Sequence, residues 1–380
     1  MTMTRRQRLM ATLTGQPVDR PPVSFYEIGG WRLDCDNPDP YNIYNGSGWR
    51  ELIDLAEQQT DIIRMIGPRE HAAADNPRGE FFSHTSWTEG SSTFWRTTLR
   101  IAGREMTSTA RRDRSVNTTW TLDHLLKNPA DVEAYLQLPA EVFAPGRIDV
   151  GNLVDEEHRL GEGGIVMVDC GDPMCGVAPL FSMEDYTVLA ATEPAVFRRL
   201  MDQAAPACYS RVEQIAAAYP GHLWRVVGSE YFSEPFMPPR LYREFLYNYT
   251  RPMCDIIRKH GGWPRIHSHG RLRGILGMIA EMADGLDPCE PPPQGDMTLT
   301  EIRAAAPEMI LFGNIEASDI ENLAPGLFEA KVRRAIEQGP DANGSRFVLH
   351  PSACPYGREI TSRTMTNYQT MVRVVDSLTG

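Results

Sequence analysis

Short β-branched or apolar runs recur along the chain at 22–25, 61–66, 164–169, 223–228, 265–269, 285–288, 309–313 and 346–350. Each ends in turn residues or polar groups. Between them the apolar spacing becomes helical, at 48–59, 194–218, 239–260, 272–283, 299–306 and 325–337, and several of these segments open with Pro at or near the first turn. Eight strands alternating with helices predict an α/β fold, a single (β/α)₈ TIM barrel filling residues 1–380. One stretch breaks the rhythm. Within 68–163 the runs 92–101, 105–109 and 116–121 alternate around Ala102-Gly103, which predicts antiparallel hairpins inserted after the second strand, at the barrel mouth. Such excursions build lids or partner surfaces.

Composition narrows the reading further. The chain has 380 residues with 38 Lys plus Arg against 50 Asp plus Glu, a net charge of -12, so attraction to nucleic acid or an anionic membrane surface is disfavoured. Small molecules or proteins fit better as partners. Seven scattered cysteines give no disulfide framework, and the N-terminus lacks an apolar segment of signal-peptide length. Arg5-Arg6 reads as part of a basic amphipathic first helix. The expectation is a cytoplasmic protein with reduced thiols.

The strongest local chemistry is Arg265-Ile266-His267-Ser268-His269-Gly270, where residues two apart on a strand share a face and the chain turns to loop directly afterwards. Glu230 follows the fourth strand, Glu290 the sixth, and His350 and Cys354 close the eighth. Strand C-termini converge in a barrel. Two imidazoles, a thiolate and a carboxylate suit Zn²⁺, so His267, His269 and Cys354 are the expected ligands with Glu290 as the fourth. The alternative is hydrogen-bonded pocket histidines and a buried apolar cysteine; His350, followed by Pro351, is a weaker ligand candidate. Glu230 and Glu290 are candidate acid–base groups, and Asn314 in Gly313-Asn314-Ile315 could orient a substrate oxygen. Glu290 could equally belong to a stiff turn set by Pro291-Pro292-Pro293, and Asn314 to an ordinary one. Cys170 and Cys175 have no second pair and read as pocket wall. No phosphate loop, dinucleotide fingerprint or Gly-x-Ser-x-Gly turn occurs.

In order, Thr4-Arg5-Arg6-Gln7-Arg8-Leu9, Gly15-Gln16-Pro17-Val18-Asp19-Arg20-Pro21-Pro22, Asn128-Pro129-Ala130-Asp131, Leu138-Pro139, the segment 228–239, His267 to Gly270, Gly313-Asn314-Ile315 and Cys354 resemble the uroporphyrinogen decarboxylase superfamily over nearly the whole chain. That superfamily also contains zinc methyltransferases that work with corrinoid proteins. The decarboxylases proper carry an Arg-Gln-Ala-Gly-Arg loop after the first strand, where this chain has Tyr26-Glu27-Ile28-Gly29-Gly30-Trp31-Arg32. A substrate with many carboxylates would meet one Arg and one repelling Glu. The methyltransferase branch carries His-x-Cys and a later Cys; His267 and Cys354 match, while His269 stands where that branch has Cys.

The resemblance therefore implies a zinc-dependent methyltransferase moving a methyl group between a small substrate, such as a methoxylated aromatic or a thiol, and a corrinoid (cobalamin). Imidazole in place of thiolate leaves the zinc more electrophilic. Tyr26, Trp31, Tyr231, Phe232 and Phe236 would suit an aromatic ring, or they belong to the core. With no Asp-x-His-x-x-Gly loop of its own, the chain is expected to meet the corrinoid on a partner protein, and homodimers are implied as well. The alternatives are a metal-assisted decarboxylase or lyase acting on a small carboxylic acid, and a non-catalytic ligand-binding barrel.

Overall fold

The computed structural model describes residues 2–72 and 76–379. Seven strands, β1 (Ile62–Ile66), β2 (Gly164–Gly171), β3 (Leu223–Val227), β4 (Trp263–His267), β5 (Gly285–Asp287), β6 (Ile310–Ile315) and β7 (Phe347–Pro351), form one parallel curled sheet in sequential order. Parallel neighbours need crossovers, and helices such as Pro194–Ala218, Leu299–Ala305 and Pro325–Gln338 supply them. All seven fall within a few residues of the predicted runs.

The predicted strand at 22–25 is reduced to a single bridge, Val23 with Leu349. Pro21 and Pro22 have no N–H to give a ladder, so only isolated bonds remain. Leu349 N donates to Pro22 O, Ser24 N to Leu349 O, and Asp61 N to Val23 O. The segment thus bonds to chain at both sides of the sheet. A buried ion cluster holds it there: Asp61 accepts from Arg8, from Arg20 at 2.9 Å and from Val23 N at 2.9 Å, while Asp19 pairs with Arg8 at 2.6 Å. Arg8, Asp19 and Arg20 of the N-terminal motif therefore have a structural task.

Strand alternation sorts the side chains. Ile63, Met65, Ile165, Met167, Phe312 and Val348 meet on the concave face, and Leu9 and Leu13 of the helix Arg5–Leu13 pack against them. Thr4 and Gln7 cap that helix reciprocally. Leu223 shares this face, and two residues beyond Met167, Leu223 and Val348 stand Asp169, Arg225 and His350, with His267 four beyond Trp263, so polar groups gather toward the strand C-termini. The convex face packs against the helices as the larger core.

Between β1 and β2 lies a four-stranded antiparallel sheet of Phe82–Glu89, Ser92–Ile101, Arg104–Asp113 and Thr119–Asp123. The predicted hairpins are there, longer than expected and with Phe82–Glu89 added. Residues 73–75 of the predicted insertion 68–163 lie outside the described residues. Among the described residues no helix is long and apolar enough to cross a membrane.

Candidate metal centre

Three side chains bring one donor each within 4.8 Å of one another: Glu230, His267 and His269. His267 is the last residue of β4 and is 6% exposed; His269 lies two residues beyond, in the loop. Their ring centroids are 4.8 Å apart and nearly perpendicular. Glu230 comes from the 3₁₀ turn Ser229–Phe232 that follows β3. Its Oε2 is 3.6 Å from His267 Nε2.

The loops are stitched together. Ser229 Oγ donates to Ser268 Oγ at 3.0 Å and contacts Tyr242 Oη at 2.7 Å; Ser233 Oγ donates to His269 O at 3.0 Å, and Arg271 N to Glu234 O at 3.1 Å. Gly228 makes the turn after β3 possible. Its φ of +135° suits glycine, and a Cβ there would lie 1.9 Å from Asp172 Oδ1.

Each imidazole is anchored through Nδ1. His267 Nδ1 is 2.8 Å from Asp287 Oδ2, and His269 Nδ1 is 3.0 Å from Glu290 Oε1. A carboxylate at Nδ1 fixes the tautomer with hydrogen there, which leaves the Nε2 lone pair available. Asp287 is fully buried. Burial opposes its ionisation, but the charge of Arg265 and the contact with His267 outweigh that and hold the carboxyl well below its usual range. Arg265 Nε lies 2.9 Å from Asp287 Oδ1, and the guanidinium sits 4.6 Å from the Phe312 ring centroid. For His269, burial works against the charged form, yet Glu290 pulls the pKa above its ordinary value.

Tyr26 forms the opposite wall. Its ring stacks on His267 at 5.8 Å and 11°, and its hydroxyl accepts from Arg225, which pairs with Asp169 at 2.9 Å. Arg225, Asp169, Arg265 and Asp287 did not figure among the sequence candidates. The signal was spacing: Arg265 is two residues before His267, and Arg225 two after the concave Leu223.

The other predicted site residues are distributed differently. Cys354 is outside the three-donor group; its Sγ donates to Glu27 Oε2 at 2.8 Å, and burial, then Glu27, push the thiol pKa far up. Glu290 is outside it too, acting on His269. His350 is buried at the edge of Tyr26, and burial followed by Arg265 lowers its pKa to about 3, so it is neutral. Asn314 lines a cavity of about 340 Å³ with Lys331 and Arg334, none of whose lining residues belongs to the donor group. Phe232 is core, packed on Tyr186 and Phe197, whereas Phe236 is 48% exposed. Cys170 and Cys175 line a cavity of about 280 Å³ with Asp172, Cys208 and Arg211.

Asp172, behind the Glu230 turn, accepts from Thr250 Oγ1 at 2.8 Å and from Cys175 N at 3.2 Å. Burial nevertheless lifts its pKa from 3.8 to about 7. The native state then keeps a proton that the unfolded chain releases, which contributes stability fully present below the ordinary value and lost as pH rises through the folded one. The expected slope is about -1.4 kcal/mol per pH unit across that window. Asp172→Asn should flatten it, so urea unfolding at about pH 5 and about pH 8 should differ less in the variant than in the parent. Equal differences would place the titration elsewhere.

No family model matches this chain, and no curated protein matches it. Among solved structures it is similar to a methyltransferase from Methanosarcina mazei, with a TM-score of 0.61 over 99% of each chain and 16% sequence identity. At that identity the likeness concerns the fold.

Proposed function

We propose that this chain is a metal-dependent methyltransferase in which Glu230, His267 and His269 hold a zinc ion. Methyl passes between a small methoxylated or thiol substrate and a corrinoid carried by a partner protein. One observation carries the metal: both imidazoles have Nδ1 engaged by carboxylates, and both stand in one donor group with Glu230, whose Oε2 is 3.6 Å from His267 Nε2. Three protein donors with a fourth position open is the pattern of catalytic zinc. The fold similarity to a methyltransferase supports methyl transfer as the reaction, and we take Val23 as the eighth position of a closed (β/α)₈ barrel.

When bound, the ion would polarise the substrate's oxygen or sulfur and so ease exchange of its methyl group. The residues do the rest. Asp287 and Glu290 aim the imidazoles, and Glu290 is the nearby carboxylate left to take or return a proton. Tyr26, backed by Arg225, covers His267 and keeps water from that side. Cys354 stays a protonated thiol on Glu27 and is not needed to complete the donor set.

Protein purified without chelator is expected to carry about one zinc per chain. Mixed with a reduced corrinoid and a panel of methoxyaromatics, thiols and methylamines, it should change the corrinoid absorption with at least one of them. Carbon dioxide release from small acids, with the corrinoid spectrum unchanged across the panel, would replace methyl transfer by a carboxy-lyase reaction.

A further inference from the structure

The inserted antiparallel sheet has two edges, and they are built differently. Thr119–Asp123 is five residues long, joins its neighbour through a register shift at Thr109/Ala110, and is led in by a segment tied down through the Val116–Gly357 bridge and an Asn117 N to Tyr356 O bond of 3.2 Å. A bulge and a short length are the usual protections of an edge. Phe82–Glu89 has neither. It pairs with Ser92–Ile101 without interruption from Phe82↔Leu99 to Glu89↔Ser92, and seven of its eight residues are exposed. Its sequence, Phe-Ser-His-Thr-Ser-Trp-Thr-Glu, holds no Pro, Gly or Lys. Along its outer side a row of N–H and C=O groups faces away from the sheet, a ready template for another strand.

We propose that this edge pairs antiparallel with the same strand of a second copy, about a two-fold axis perpendicular to the sheet, making one continuous eight-stranded sheet. Charge favours that occupant. Antiparallel pairing lays the Glu89 end of one copy beside the Phe82 end of the other, where the Arg78 guanidinium lies 4.3 Å from the Phe82 ring centroid. Among the described residues no carboxylate pairs with Arg78 and no cation with Glu89, and the two-fold axis brings the two charges together twice. The apolar surface fits as well. Trp87, 37% exposed, stacks on Phe94 at 5.2 Å, and the Arg96 guanidinium lies 5.3 Å from the Trp87 ring centroid. Such an axis keeps each face of the sheet on its own side, so the two Trp87 side chains flank the seam on one face. Using one edge twice also ends growth, whereas joining it to the Thr119–Asp123 edge would leave an open array.

Light scattering on the full chain over micromolar concentrations should give a dimer. Glu89→Arg and Arg78→Glu should each weaken it about tenfold, and the double variant should return to within about threefold of the parent. Thr85→Cys or Ser86→Cys, at the strand centre, should link into a covalent dimer under mild oxidant, with the unsubstituted chain as control for its seven native cysteines. A monomer at every concentration, failure of both cysteine variants to link, or assembly beyond two copies overturns the proposal.

Discussion

If the proposed zinc centre holds, His267→Ala is expected to bring the zinc content from about one per chain to near zero, and methyl transfer down by on the order of 10³-fold or more, since a catalytic zinc ion supplies several kcal/mol of charge stabilisation. The residue has three neighbours that would not compensate. Glu230 and His269 alone make a two-donor site, and Asp287 would be left buried with its Oδ2 facing a void. Asp287→Asn separates ligand from orienter: both imidazoles remain, but the amide no longer demands hydrogen at Nδ1. Metal titration should then show a loss of about 10–100-fold in affinity. Full zinc occupancy in His267→Ala would eliminate the assigned centre.

Arg265→Leu is expected to cost about 3–5 kcal/mol of stability at neutral pH, read from urea unfolding, because it strands the carboxylate of Asp287 at zero exposure. The guanidinium's terminal nitrogens have no hydrogen-bond partner among the described residues, so the cation is held by Asp287 and the face of Phe312. An imperfectly satisfied pair of this kind is replaceable as a whole. The double variant Arg265→Leu/Asp287→Leu should recover most of the loss, giving a large coupling energy in the cycle. The pH dependence has a definite sign. Asp287 has a depressed folded pKa, so its contribution is present above the ordinary value of 3.8 and vanishes as pH falls through the folded one. The penalty of Arg265→Leu should therefore shrink in acid. A penalty unchanged between neutral and strongly acidic solution would mean the ion pair is not its source.

Sequence revealed the strands because their Val, Ile and Leu runs are short and bounded by turn residues, and it revealed the His-x-His pair because a two-residue period places both on one face. Other elements were hidden by local chemistry. Ser362–Asp376 is rich in Thr and Val, which read as neutral or extended, yet it is a helix because Tyr368, Met371 and Val375 bury one side. Phe82–Glu89 lacks apolar alternation and owes its form to pairing with Ser92–Ile101. At the site, Glu230 was legible as a strand-end carboxylate, but its joining the histidines depends on the turn at Gly228. Cys354 is three residues beyond β7, where the loop, rather than strand geometry, directs the side chain to Glu27. Arg225 and Arg265 were overlooked because a charge inside an apolar strand looks misplaced until its partner on the adjoining strand is known.

The link from Tyr242 through Ser229 to Ser268 joins the turn that carries Glu230 to the loop that carries the histidines. Tyr242 is the first residue of the mostly buried helical segment Tyr242–Tyr247, so both loops are referred to one packed element. Glu230 and the two histidines therefore share one footing, and a change at Tyr242 bears on all three donors together.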